Sequence, residues 1–239
     1  MECSSNERLA QVRRRLLRWG RAHFQEYLWR QETDPWLTLV AEILLQRTRA
    51  SQVEPVFREV CYRYPTALAL VRAGPAAVRE ITDKVGLHWR GDLLYRVAQS
   101  VHENGGKPPE EMVDLRRLPG VGMYTAAAWL SLHRGKRAAM VDSNVARWLS
   151  RMTGKPYPRD PRHVDWVQNL ADCLTPKRSF RDYNYAVLDF TMAICTPRSP
   201  RCGECPVRQF CWYGSSNSPM IESNRQPEHR ASIDRSSHP

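Results

Sequence analysis

The chain has 239 residues, enough for one large or two small domains, and 42% of them are hydrophobic, so a sizeable core can form. A formal net charge of +11 favours a polyanionic partner, although a solvated basic surface would give the same figure. The opening stretch has no apolar signal core and no run of 18 apolar residues occurs, so neither a secretory leader nor a membrane span is expected, and a cytoplasmic protein with reduced thiols is.

In chain order the pattern is helical almost throughout. Leu9, Val12, Leu16 and Trp19 follow helical spacing in a first helix. Trp36 to Leu45 forms a strongly apolar second one with a single carboxylate, Glu42. Val53, Phe57 and Val60 mark a third. Further helices are predicted over 74–83, 89–104, 111–118, 123–133, 143–152, 162–174 and 180–194, punctuated by Gly74-Pro75, Gly105-Gly106 and Pro108-Pro109. No stretch alternates as a strand. From Gly214 the composition turns to Ser, Asn, Pro and charge, which predicts a disordered tail over 214–239.

Two features between these helices carry chemistry. Leu118-Pro119-Gly120-Val121-Gly122 predicts a tight interhelical turn that a Cβ would obstruct. Such a turn leaves amides open at the next helix, where they can hold a phosphate without reading sequence; an ordinary helical hairpin is the equal alternative. Asp142 follows in Met140-Val141-Asp142-Ser143-Asn144-Val145, and by itself reads as a helix N-cap.

Near the end, Cys195, Cys202, Cys205 and Cys211 are spaced C-x6-C-x2-C-x5-C. Structural zinc sites usually show two short pairs with a longer gap between them. Here all four thiols fall within 17 residues, which suits a [4Fe–4S] cluster held by four thiolates. Zinc and disulfides are the alternatives. Cys61 and Cys173 lie in apolar helical patterns and are expected to pack.

Taken together, L-P-G-V-G-x-x-T-A, then V-D-x-N-V-x-R, then the cysteine loop resemble the helix-hairpin-helix DNA glycosylases of the endonuclease III and MutY type, over roughly residues 30–212. Glu42 to Thr48, Arg181 to Asn184 and Leu188 to Phe190 look like the MutY and mismatch-thymine (Mig) branches, and Lys136 to Asp142 is particularly Mig-like. The resemblance implies an all-α fold of two helical domains. A six-helix domain with the hairpin would cover 30–141. A cluster domain would combine 142–213 with the N-terminal helix in 1–29.

The same resemblance implies a monomeric base-excision enzyme acting on double-stranded DNA with a mismatched or damaged base. In it Asp142 would stabilise the sugar cation and activate water. Gly120 and Gly122 would hold the DNA backbone, Arg47, Tyr124 and Glu42 would contact the base, Gln46 would fill the vacated space, and Leu87 would wedge against the opposite strand. Packing or helix-end roles are the alternatives for Gln46, Leu87 and Tyr124, and an ion pair with a surface arginine is the alternative for Glu42. Endonuclease III carries a catalytic lysine 18 residues before its aspartate; that position here is Tyr124, and a phenol cannot form an imine. The 28 residues after Cys211 are too few for the second domain of MutY enzymes. Both points favour removal of thymine or uracil opposite guanine. A MutY-like adenine glycosylase, a bifunctional glycosylase/lyase using Lys136, and a non-catalytic DNA-binding module are the competing readings.

Overall fold

A computed structural model describes residues 6–83, 88–161 and 164–215. The predicted wedge Leu87 and residues 216–239 of the predicted tail lie outside the described residues. Twelve α-helices are described: α1 (Glu7–Arg21), α2 (Leu28–Gln31), α3 (Pro35–Leu44), α4 (Ala50–Arg63), α5 (Ala67–Asp83), α6 (His88–Glu103), α7 (Met112–Leu115), α8 (Met123–His133), α9 (Ser143–Thr153), α10 (Asp165–Leu174), α11 (Phe180–Ala193) and α12 (Trp212–Ser215). Among the described residues there is no strand, so the all-α expectation holds. Gly214 and Ser215, expected in the tail, instead close α12. The segment before Gly74 is also helical: α5 runs through a kink where Gly74 takes φ 81°, ψ 165° ahead of Pro75.

Two apolar cores organise these helices. The first gathers Trp36, Leu39, Ile43, Phe57, Leu70, Leu94 and Trp129 from α3 to α8. The second gathers Leu9, Leu16, Leu149, Leu174 and Phe190 from α1, α9, α10 and α11, and reaches Cys195 and Val207. Burial of such side chains contributes roughly 1.5–3 kcal/mol each before entropy is set against it.

Helix α8 lies between the cores. Every residue from Thr125 to Leu132 is buried, as expected for a helix without a polar face. It is fixed on both sides by polar contacts. Trp129 Nε1 donates to Thr38 Oγ1 at 3.1 Å and to the Pro35 carbonyl at 3.2 Å, pinning α8 to α3. Asn184 Nδ2 donates to Ser131 Oγ at 2.6 Å and to the Ala138 carbonyl at 3.1 Å, pinning it to α11. Between α2 and α11, Arg30 donates two bonds to Asp189, at 2.7 and 2.8 Å, and its guanidinium lies 4.3 Å from the Tyr185 ring centroid. Helices α1 and α11 touch closely: a Cβ on Gly20 would stand 2.3 Å from Ala186 Cβ. The consequence is a rigid frame around the two ends of α8.

Candidate active site and cysteine loop

The predicted site residues converge on one open cleft. Glu42, Gln46 and Arg47 reach it from the end of α3, Gly120, Gly122 and Tyr124 from the hairpin and α8, and Asp142 from the start of α9. Why the chain turns there is local chemistry. Gly120 takes φ +67°, which only glycine adopts easily, and a Cβ on it would sit 2.6 Å from Leu93 Cδ1. Gly122 differs from expectation: a Cβ there would meet nothing within 4 Å, so internal crowding does not require glycine. Gly122 caps α8 with no side-chain acceptor, which leaves the first amides of that helix facing outward.

Asp142 is a cap, as its position predicts, and has a second contact. Its Oδ1 accepts from Val145 N at 2.7 Å and its Oδ2 from Asn144 Nδ2 at 2.8 Å. Donors at both oxygens fix the plane of the carboxylate. Asn144 Oδ1 in turn accepts from Arg147 Nη1 at 2.8 Å. Arg147 also donates to the Thr191 carbonyl at 3.0 Å and the Cys195 carbonyl at 2.8 Å. One hydrogen-bonded chain therefore runs from the cleft carboxylate to the first residue of the cysteine loop.

Tyr124 opens α8. Burial first, then the charges of Asp142 and Glu42, hold its phenol well above the ordinary tyrosine range. It stays a neutral phenol near two carboxylates. Glu42 is buried, at 6% exposure, and the alternative reading, an ion pair with a surface arginine, is not what its contact shows. Its partner is His133, the last residue of α8, with Nε2 at 2.9 Å from Oε1. The sequence reading missed His133; its only signal was a lone carboxylate in an apolar helix, which demands a buried donor.

Gln46 does not point freely into the cleft. Its Nε2 donates to the Gly120 carbonyl and to Thr125 Oγ1, each at 3.1 Å. Arg47 is exposed, lines the cleft and takes φ +55°, a left-handed conformation that is strained for a residue with a Cβ. Lys136 is engaged elsewhere, donating at 2.8 Å to both the Glu110 carbonyl and Glu111 Oε1. No lysine is among the described residues that line the cleft.

At the far end of the chain, Cys195, Cys202, Cys205 and Cys211 are free thiols that line one small cavity with Trp148, Phe190 and Val207. Burial pushes the Cys205 thiol up to about 12, and the charges of Cys211, Cys195 and Cys202 add to it. Four thiols gathered in one apolar cavity give up their protons only in exchange for a cationic centre, and this all-sulfur donor set fits an iron–sulfur cluster. Cys195, Cys202, Cys205 and Cys211 would hold the cluster, which would tie the loop together. Protein contacts complete the clamp. Arg151 is buried, lies 3.5 Å from Cys195 Sγ, and donates at 2.7 Å to the carbonyls of Thr196 and Pro197. Helix α1 reaches across: Arg8 donates to the Phe210 carbonyl at 2.6 Å, and the Arg15 guanidinium lies 5.6 Å from the Phe210 ring. Cys61 is partly buried, its thiol pushed up to about 12 by burial; Cys173 is disulfide-bonded, which packing alone did not anticipate.

Comparison with known proteins agrees with this architecture. Residues 40–164 match the HhH-GPD superfamily of base excision DNA repair proteins, and residues 195–211 match the iron–sulfur binding domain of endonuclease III. The chain is 36% identical over 212 residues to a thymine-DNA glycosylase of Aeropyrum pernix, covering 86% of this chain and 95% of that protein. It is 33% identical over 191 residues to a thymine/uracil-DNA glycosylase of Methanothermobacter thermautotrophicus, covering 79% and 86%. A solved thermostable thymine-DNA glycosylase superposes with a TM-score of 0.83 at 30% identity, over 89% of this chain and 99% of that one. The hairpin, the helical frame and the cysteine loop thus have one common explanation: the chain belongs to the HhH-GPD superfamily of base excision DNA repair glycosylases and carries a [4Fe–4S] cluster in an endonuclease III-type iron–sulfur domain.

Proposed function

We propose that the protein is a monofunctional DNA glycosylase that removes thymine or uracil opposite guanine. The observation that carries this reading is Tyr124. It stands 18 residues before Asp142, where the resemblance puts an amine, stays neutral near Asp142 and Glu42, and lines a cleft whose described lining has no lysine. A bifunctional route through Lys136 is disfavoured because that amine is bonded to Glu110 and Glu111.

The chemistry follows from the side chains. A target base leaves the duplex stack, at a cost of a few kcal/mol that is least at a mismatch. The outward amides at the start of α8 suit a backbone phosphate, with Gly120 and Gly122 allowing its approach. Arg47 and Tyr124 supply donors to the base, whose departing charge they offset, and Glu42 supplies an acceptor. As the N-glycosidic bond lengthens, positive charge grows on the sugar, and the doubly held carboxylate of Asp142 stabilises it and orients water. Gln46 fills the gap left by the base. We further infer that residues 30–141 and residues 142–213 with 1–29 act as two domains closing on the DNA from either side, in a cytoplasmic monomer. No described helix is long and apolar enough to cross a membrane.

A panel of duplexes with single defined mispairs tests the reading. Base release from G:T and G:U, with strands intact until alkali is added and no borohydride-trapped complex, is the expected result. Robust trapping by the wild type, or release confined to adenine, would overturn it. Tyr124→Lys should gain trapping, since the Schiff-base route needs only a positioned, partly deprotonated amine.

A further inference from the structure

His133 has no part in the chemistry above, yet it touches Glu42. Glu42 comes from α3 and His133 from the far end of α8, and their contact is 2.9 Å with side-chain exposures of 6% and 0%. Glu42 lines the cleft; His133 stands behind it. His133 Nδ1 is buried and has no hydrogen-bond partner.

That orphan atom decides the proton arrangement. If Glu42 were protonated and donated to Nε2, the imidazole's own proton would sit on Nδ1 as a buried N–H without an acceptor. A doubly protonated imidazole would leave the same orphan N–H and add charge. Only the tautomer with its proton on Nε2 leaves Nδ1 a bare lone pair, and a buried unsatisfied acceptor is tolerated better than a buried unsatisfied donor. In that state Nε2–H donates to Glu42 Oε1.

We propose that His133 is a positioning residue that presents Glu42 to the flipped base as a fixed hydrogen-bond acceptor. The proposal rests on the placement of Glu42 at the base given above. Its consequence is a choice of base class. A carboxylate held as an acceptor matches a ring N–H, which thymine and uracil present at N3. It opposes the bare ring nitrogens of adenine and cytosine, lone pair against lone pair. No proton passes from the pair to the base. The phenols of Tyr124 and Tyr185 lie near the pair, and burial first, then nearby carboxylates including Glu42, keep both neutral.

The test measures single-turnover base release from a G:U duplex, and mismatch affinity separately, for four variants with checked folding. His133→Leu removes the donor and should lose about 10- to 100-fold in rate with affinity kept, as for loss of a hydrogen bond to a charged group. His133→Gln places an amide N–H at similar reach and should recover most of that rate. Glu42→Gln should be impaired, and adding His133→Leu to it should cost nothing more, because His133 acts through Glu42. Additive losses in the double variant, or a His133→Leu enzyme at wild-type rate beside an impaired Glu42→Gln, would overturn the role of His133 while leaving Glu42 in place. A fully active Glu42→Gln would instead overturn the placement of Glu42 and the proposal with it.

Discussion

The cleft and the cysteine loop handle polar groups in opposite ways. Around the loop, arginines from helices α1 and α9 close onto backbone carbonyls, so that Thr196, Pro197, Cys195 and Phe210 all have a donor. In the cleft, Glu42 is held on one oxygen, Tyr124 feels the charges of two carboxylates, and α8 begins with uncapped amides. Backbone tied down by arginines is held in one arrangement; partial satisfaction leaves capacity for a ligand whose charge changes during reaction. The two regions meet in Arg147, which joins Asn144 on one side to Cys195 on the other.

The largest effect should come from breaking the fixed region. Cys202→Ser removes one of four thiolates, and because cluster binding contributes folding energy, the variant should lose iron, lose absorption at about 400 nm and unfold its C-terminal segment first in limited proteolysis. Colourless wild-type protein with stoichiometric zinc would contradict it. Breaking the adaptable region should spare the fold. Asp142→Asn keeps a capping oxygen for Val145 but removes the charge, so base release should fall about 100-fold or more with mismatch binding retained, measured by single-turnover assay and fluorescence anisotropy.

Arg147→Gln tests the junction. It removes the guanidinium bonds to Asn144, Thr191 and Cys195, so it should cost about 2 kcal/mol in chemical denaturation. Freed Asn144 should also lower base release by about 10-fold. A stability loss at unchanged rate would separate the two regions. The smallest effect is at high pH. Burial raises the phenols of Tyr124, Tyr183 and Tyr185, the last to about 12. Unfolded phenols release their protons near the ordinary value of about 10 while the folded ones keep theirs, so this stabilising contribution is complete below pH 10 and is lost as pH rises above it. A melting temperature that is flat across that range would contradict the burial of these hydroxyls.

What could be read from the sequence was chemistry with fixed spacing. The four cysteines, Asp142 after its helix-hairpin turn, and Tyr124 at the lysine position are local patterns, and the structure sets the last two in the same cleft. Features that depend on distant partners were not legible. His133 lies 91 residues from Glu42, and periodicity says that a carboxylate in an apolar helix needs an answer without saying which residue gives it. The short α2 offers too few residues for a periodic signal, and the helix before Gly74 was hidden by the Gly-Pro pair that kinks it. Gly122 was expected for the wrong reason: nothing inside the protein crowds it, and open space above it faces the cleft.

The two bonds that hold Gln46 have a consequence for how the protein meets DNA. In its proposed role this side chain enters the duplex, yet here it is tied to the hairpin through the Gly120 carbonyl and Thr125 Oγ1. Entry therefore requires both bonds to break, and both belong to the element that would grip the phosphate. In that role the amide would stay sheathed against matched sequence, and no side chain would be driven into an undamaged base pair. Where a weak pair yields, the duplex would offer the amide replacement partners, and the sheath would open only at that place.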